Sequence, residues 1–154
     1  MHLAAKEDID ATIEKVFAVV SDFNLIEQVA TQRAIEVERV TDSTPPAAGM
    51  EWEATFGFRG KPRSMTVTLA EFTPPEAVAY NAHTGGLDIE MRIELVALSP
   101  AKTRLHLKTD LKPANLSARL LVQSLKLAKS TIEKKLDSRV AEMGRGIEKR
   151  IKAA

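Results

Sequence analysis

The end of the chain constrains the fold most. From Pro113 to Lys152 there is no internal proline, and glycine occurs only at Gly144 and Gly146. Apolar residues recur at Leu116, Leu120, Leu121, Leu125, Ala128, Ile132, Leu136, Val140, Met143, Ile147 and Ile151. The spacing is mostly three and four, the helical period. It predicts one amphipathic helix, roughly 55 Å long at about 1.5 Å per residue. A helix that long needs something wide to lie across. Gly144 and Gly146 mark where it is expected to bend or fray.

The preceding chain supplies the wide partner. His2 to Ile9 reads as a first strand. Asp10 or Thr12 can cap a short helix from about Ala11 to Val20, and Ser21 or Asp22 can cap a second around Leu25, Ile26 and Val29. The period then changes to two. Ile35 and Val37 begin a strand that ends in the Thr41–Pro46 loop. Met50, Trp52, Ala54, Phe56 and Phe58 alternate with polar residues and glycine, and Gly60-Lys61-Pro62 reads as a turn. Met65, Val67 and Leu69 share one parity that Phe72 breaks, which predicts a bulge near Ala70. Val78, Tyr80 and Ala82 lead to a Gly85-Gly86 hairpin. Leu87 to Leu95 and Thr103 to Leu111 are the cleanest alternating strands. One apolar face and one charged face is the pattern of an antiparallel sheet covered on one side. The expected class is α+β, with about seven strands, two short helices and a long C-terminal helix across the concave face.

The length, 154 residues, suits one domain, and an apolar fraction of 44% suits a packed core. No apolar run is long enough for a transmembrane helix. The opening, Met1 to Asp8, turns charged at once and lacks the apolar run of a secretory signal. The chain has no cysteine, which removes thiol chemistry and makes the cytoplasm the expected location. Charge is divided unevenly. Residues 1–100 hold 8 Lys/Arg against 16 Asp/Glu, and residues 101–154 hold 14 against 5. A solvated helix face that neutralises an acidic sheet accounts for this. The sharper alternative is an interaction protein. It would meet anionic lipid, RNA or a protein partner through Lys126, Lys129, Lys134, Lys135, Arg139, Arg145, Lys149 and Arg150.

The order strand, two short helices, six strands, long helix resembles the helix-grip fold of the START-like superfamily, also called SRPBCC or polyketide cyclase/dehydrase-like. The run Ile9-Asp10-Ala11-Thr12-Ile13-Glu14-Lys15-Val16-Phe17-Ala18-Val19-Val20-Ser21-Asp22-Phe23 looks like that family's opening. There a strand ends in a small residue, and a helix runs to a Ser/Thr-Asp-aromatic turn. The resemblance implies a pocket between the sheet and the last helix for lipids, sterols, polyketides, quinones or similar molecules. Asn24-Leu25-Ile26-Glu27-Gln28 lacks the tryptophan often found there. The resemblance therefore carries the fold and the cavity to this chain, and no catalytic residue.

No catalytic or metal-binding constellation is legible. There is no Gly-rich phosphate loop and no His-Glu-x-x-His. His2, His83 and His106 are isolated, and His106 lies on the charged parity of its strand. No cofactor or metal is expected. On the inward parities Tyr80 is the only titratable candidate found, while Glu51, Glu53, Glu90 and Glu94 face outward and Arg92 can pair among them across strands. The expected cavity lining is Trp52, Phe56, Phe58, Met65, Val67, Tyr80, Ile89, Met91 and Leu107 from the sheet. Leu116, Leu120, Ser124 and Leu127 complete it from the helix. Taken singly, each residue of the apolar stripe reads first as core, and Ser124 could bond back to its own helix. The expected partner is a small apolar molecule held by burial, with Tyr80 and Trp52 orienting its polar end. The alternative is a cyclase or dehydratase that uses Tyr80 as general acid. No specific nucleic acid is expected, peripheral membrane contact stays open, and the chain is a monomer or homodimer.

Overall fold

A computed structural model describes all residues, 1–154. Seven strands form one antiparallel sheet: β1 (His2–Ile9), β2 (Glu36–Thr41), β3 (Glu51–Phe58), β4 (Lys61–Thr73), β5 (Ala77–Thr84), β6 (Leu87–Ser99) and β7 (Lys102–Pro113). Their order across the sheet is β1-β7-β6-β5-β4-β3-β2. Two helices, α1 (Ile13–Val20) and α2 (Phe23–Gln32), connect β1 to β2. The first and last strands in the chain therefore lie side by side, and β1 is an edge.

Local chemistry sets the boundaries. The Thr12 side chain accepts from the Lys15 amide at 3.3 Å, and Asp22 accepts from the Leu25 amide at 3.1 Å. Both satisfy amides that open a helix without partners. The β4–β5 register shifts between Leu69 and Glu71, so the expected bulge is present and returns Phe72 to the apolar face. The turn between β3 and β4 is Arg59-Gly60, with both residues at positive φ. It is a tight hairpin one residue earlier than the sequence suggests.

The sheet sorts its side chains as the alternation requires. Val78, Ile93, Leu107 and Ala5 are successive cross-strand partners on the apolar face, and all four are buried. The outer face is charged. Glu71, Ala79, Arg92 and Lys108 are successive partners there. Small Ala79 lets Arg92 reach Glu71 at 2.8 Å, while Arg92 and Lys108 meet Glu94 at 2.8 and 3.2 Å. The acidic sheet is thus neutralised largely by its own cations. The cations of the C-terminal helical region do not serve it: those that pair do so within their own helix, Lys129 with Glu133 and Arg139 with Glu142.

The C-terminal helix is long but broken. α3 (Leu116–Leu127) and α4 (Lys129–Ala153) meet at Ala128, which leaves helical geometry at φ −104°, ψ 16°. Asn115 caps α3 by accepting from the Ala118 amide at 2.8 Å. α4 runs unbroken through Gly144 and Gly146, where the sequence suggested a bend or fraying. Gly144 instead lets α4 approach β1: a Cβ there would fall 2.7 Å from Glu7 Cγ. The break coincides with a change of packing partner: α3 rests on the end of β7, whereas α4 crosses β1 and α1.

Candidate functional site

The core has two parts. The larger joins β1, α1, the middle strands and α4, through residues such as Ile9, Val16, Phe17, Leu69, Leu105, Val140 and Ile147. The smaller lies under α3, where Ala118 and Val122 meet Leu87 and Leu111. Half-buried apolar residues border both. Val67, Tyr80 and Met91 abut the larger part, and Ile89 abuts the smaller. Cross-strand pairing places these residues together: Val67 opposes Ala82, Ala82 opposes Ile89, and Tyr80 opposes Met91. The concave face is therefore sealed at both ends and incompletely covered between them.

Tyr80 sits in that stretch. Burial pushes its phenol pKa well above the ordinary value, so the group is neutral at every physiological pH. Its hydroxyl has no protein hydrogen-bond partner, yet it is not sealed away from solvent. It is a free donor and acceptor in apolar surroundings.

Trp52 has a different role from the one its sequence position suggests. It is 94% buried, and its ring meets Phe23 and Tyr80 with centroids 5.3 and 6.3 Å apart. Its indole N–H donates to Glu27 Oε2 at 2.8 Å, and the same oxygen accepts from Arg39 Nε at 2.8 Å. Arg39 also donates to Asn24 Oδ1 at 3.0 Å. With its single donor occupied, Trp52 is a wall and not a ligand-orienting group. Glu27 and Arg39 were not singled out from the sequence. α2 shows apolar residues at Leu25, Ile26 and Val29, but Ile26 and Val29 are exposed. The charged residue between them faces the sheet. The signal lay in Arg39, which occupies an inward position directly opposite Trp52. Glu7 is a second inward titratable residue missed in the alternation of β1, between buried Ala5 and Ile9.

The remaining expected residues divide by element. Leu107 is buried core, Met65 and Phe56 are half-buried, and Phe58 is exposed beneath the Arg59 guanidinium, 5.3 Å from its ring centroid. Phe56 borders a surface hollow of about 320 Å³ with Ala34, Thr55 and Pro62. On α3, Leu116, Leu120, Ser124 and Leu127 form a stripe opposite the packed one; the three leucines are exposed, Leu127 at 93%. The residues that meet the sheet are Ala118, Leu121, Val122 and Leu125. The sequence reading chose the wrong face because both stripes are leucine-rich. Ser124 meets the β3–β4 turn, through Arg59 Nη2 at 3.5 Å.

No cluster of three or more potential metal-ligating side chains is present. Tyr80 and Glu7 cannot work as an acid–base pair across the sheet. Tyr80, Met91, Thr109 and Leu3 are successive partners, so Glu7 lies three strands away and four residues further along β1.

The model of a family described as polyketide cyclase / dehydrase and lipid transport matches residues 1–147. The chain belongs to this family. Solved structures of similar fold agree with the membership. A protein from Thermus thermophilus superposes with a TM-score of 0.69 at 17% identity, covering 99% of this chain and 98% of its own. The ZhuI aromatase/cyclase from Streptomyces sp. R1128 gives 0.66 at 12% identity, covering 94% and 93%. A START superfamily protein from Mycobacterium smegmatis gives 0.57 at 15% identity, covering 89% and 97%. At these identities they share the fold. No curated protein matches the sequence. The family's START-like, helix-grip architecture is thus that of this chain, and no helix is long and apolar enough to cross a membrane.

Proposed function

We propose that the chain acts as one domain, in the cytoplasm, that binds a small apolar molecule between the concave sheet and the C-terminal helices. The observation that carries this reading is the divided core. Val67, Tyr80 and Met91 lie at the margin of the larger part and Ile89 at that of the smaller, all four only half-buried. Natural cores are packed to crystal-like density, so an apolar strip left partly open favours an occupant. Met65 and Met91 bring adaptable thioethers to the strip. The Tyr80 hydroxyl supplies one polar contact for a ligand that carries an oxygen. The belonging of the chain to a family described by cyclisation, dehydration and lipid transport supports a lipid-, sterol-, polyketide- or quinone-like molecule.

Tyr80 also supports a second reading, polyketide-type cyclisation or dehydration with Tyr80 donating a proton. A neutral, desolvated phenol is suited to donate a hydrogen bond to a developing oxyanion. A base would then have to come from the substrate, because Glu7 lies three strands from Tyr80.

Native mass spectrometry of the protein purified from its own host tests the binding reading. A retained apolar mass, lost from a Met91→Trp variant that fills the strip, is the expected result. Absence of any retained mass, with no thermal shift across a lipid, sterol and polyketide panel, would overturn it.

A further inference from the structure

The end of the molecule formed by α3 and the β3–β4 hairpin has a composition unlike the rest. β3 and β4 stay paired out to Phe58 and Lys61, but β4 pairs with β5 only from Thr66 onward. The hairpin therefore projects past the sheet as a two-stranded ribbon. Its tip crosses to α3, where Arg59 Nη2 meets Ser124 Oγ at 3.5 Å. From Ala54 to Ala70, and again from Leu111 to Ile132, the sequence contains no Asp or Glu. These two acid-free segments are the ones that meet here, in a chain otherwise rich in acids.

Large apolar side chains stand exposed on the same surface. Leu116, Leu120 and Leu127 are 67%, 57% and 93% exposed, and Phe58 is 37% exposed. At 3.6 residues per turn the three leucines form one stripe. Ser124 and Arg59 border it on one side. Arg119 and Lys126, both exposed, border it on the other. On the hairpin, Lys61 is the direct partner of Phe58 and Arg63 that of Phe56, so both cations share the face of those rings.

We infer that this surface docks on an anionic lipid bilayer, with the leucine stripe and Phe58 entering the headgroup boundary and the flanking cations meeting lipid phosphates and carboxylates. Apolar insertion together with basic flanks is the chemistry of interfacial binding. A single-stranded polyanion would satisfy the cations but would gain little from three aliphatic side chains. α4 lacks this combination: its cations are interrupted by Glu133, Asp137, Glu142 and Glu148, and its apolar stripe is packed on β1 and α1. The inference stands on surface residues alone and does not require the cavity to be occupied.

Co-sedimentation of the full chain with vesicles tests it, using phosphatidylcholine with and without phosphatidylserine. The expected result is partitioning onto the anionic vesicles that weakens steeply with added salt. Leu120→Ser with Leu127→Ser, and separately Arg59→Gln with Arg119→Gln, should each lower it on the order of tenfold. All four side chains are exposed, and circular dichroism confirms that the variants fold. Lys134→Gln with Lys135→Gln on α4 should leave partitioning unchanged. No anionic preference, equal sensitivity to the α4 pair, or indifference to the leucine pair would overturn the inference. So would tighter binding to single-stranded RNA than to anionic vesicles. A dimer in sedimentation velocity that the leucine pair dissolves would also overturn it, because the stripe would then be an interface between copies.

Discussion

Replacing Glu27 by alanine probes how α2 is held over the sheet. The carboxylate accepts from the Trp52 indole and from Arg39 through one oxygen, each at 2.8 Å. Removing it leaves the indole N–H of a 94% buried side chain without a partner, which costs about 1–3 kcal/mol. The lost pairing with Arg39 adds about 0–1 kcal/mol, because both partners keep about a quarter of their surface in solvent. Arg39 also retains Asn24 and Asp42. The expected loss is therefore about 2 kcal/mol, or roughly 4–8 °C in Tm for a chain of this size. Glu27→Gln is the control. Its amide oxygen still accepts from Trp52, so it should lose no more than about 1 kcal/mol. Urea unfolding followed by Trp52 emission is the assay, and this single tryptophan reports the site without interference. Equal losses for the two variants would refute the reasoning, because the indole bond would then not be what the carboxylate supplies.

Several further outcomes rest on the same geometry. Gly146→Ala faces open space and should stabilise by about 0.5–1 kcal/mol through helix propensity. Gly144→Ala should destabilise instead, and Glu7→Ala should relieve it, as a double-mutant cycle in thermal unfolding would show. Tyr80→Phe removes a hydroxyl without a protein partner. Stability should change by less than about 0.5 kcal/mol, while affinity for an oxygen-bearing apolar ligand should fall severalfold in a fluorescence titration. Lys108, followed by Arg92, holds the Glu94 carboxyl below its ordinary pKa of 4.5. A depressed folded-state pKa gives stability that is present above the unfolded value and lost as pH falls through the folded one. Lys108→Met should flatten the acid limb of a stability–pH curve below about pH 4.5.

The parts of the fold legible in the sequence were those fixed by local rules. The alternation of Leu87–Leu95 and Thr103–Leu111 set the inner face, and the parity break at Phe72 located the bulge. Thr12 and Asp22 were among the named caps. What escaped was decided by tertiary contact. Alanine is the best helix former, so nothing local marks Ala128 as a break; it falls where the helix changes packing partner from β7 to β1 and α1. Gly144 reads as a weak point locally and serves as a close contact in three dimensions. On α3, Leu116, Leu120 and Leu127 are as apolar as Leu121, Val122 and Leu125. Only the docked geometry tells which stripe is covered. Glu27 and Arg39 were hidden because a charged residue at an inward position counts against burial until its partners are known.

The claim that a ligand lies in the strip between the two parts of the core is tested most directly by methyl NMR of the methionines during titration with apolar molecules. Met91 and Met65 face the strip, Met50 is sealed in the core, and Met143 is exposed on α4. The account predicts saturable shifts at Met91 and Met65, with Met143 unmoved. Shifts confined to Met143, or none with any member of a lipid, sterol, quinone and polyketide panel, would contradict it.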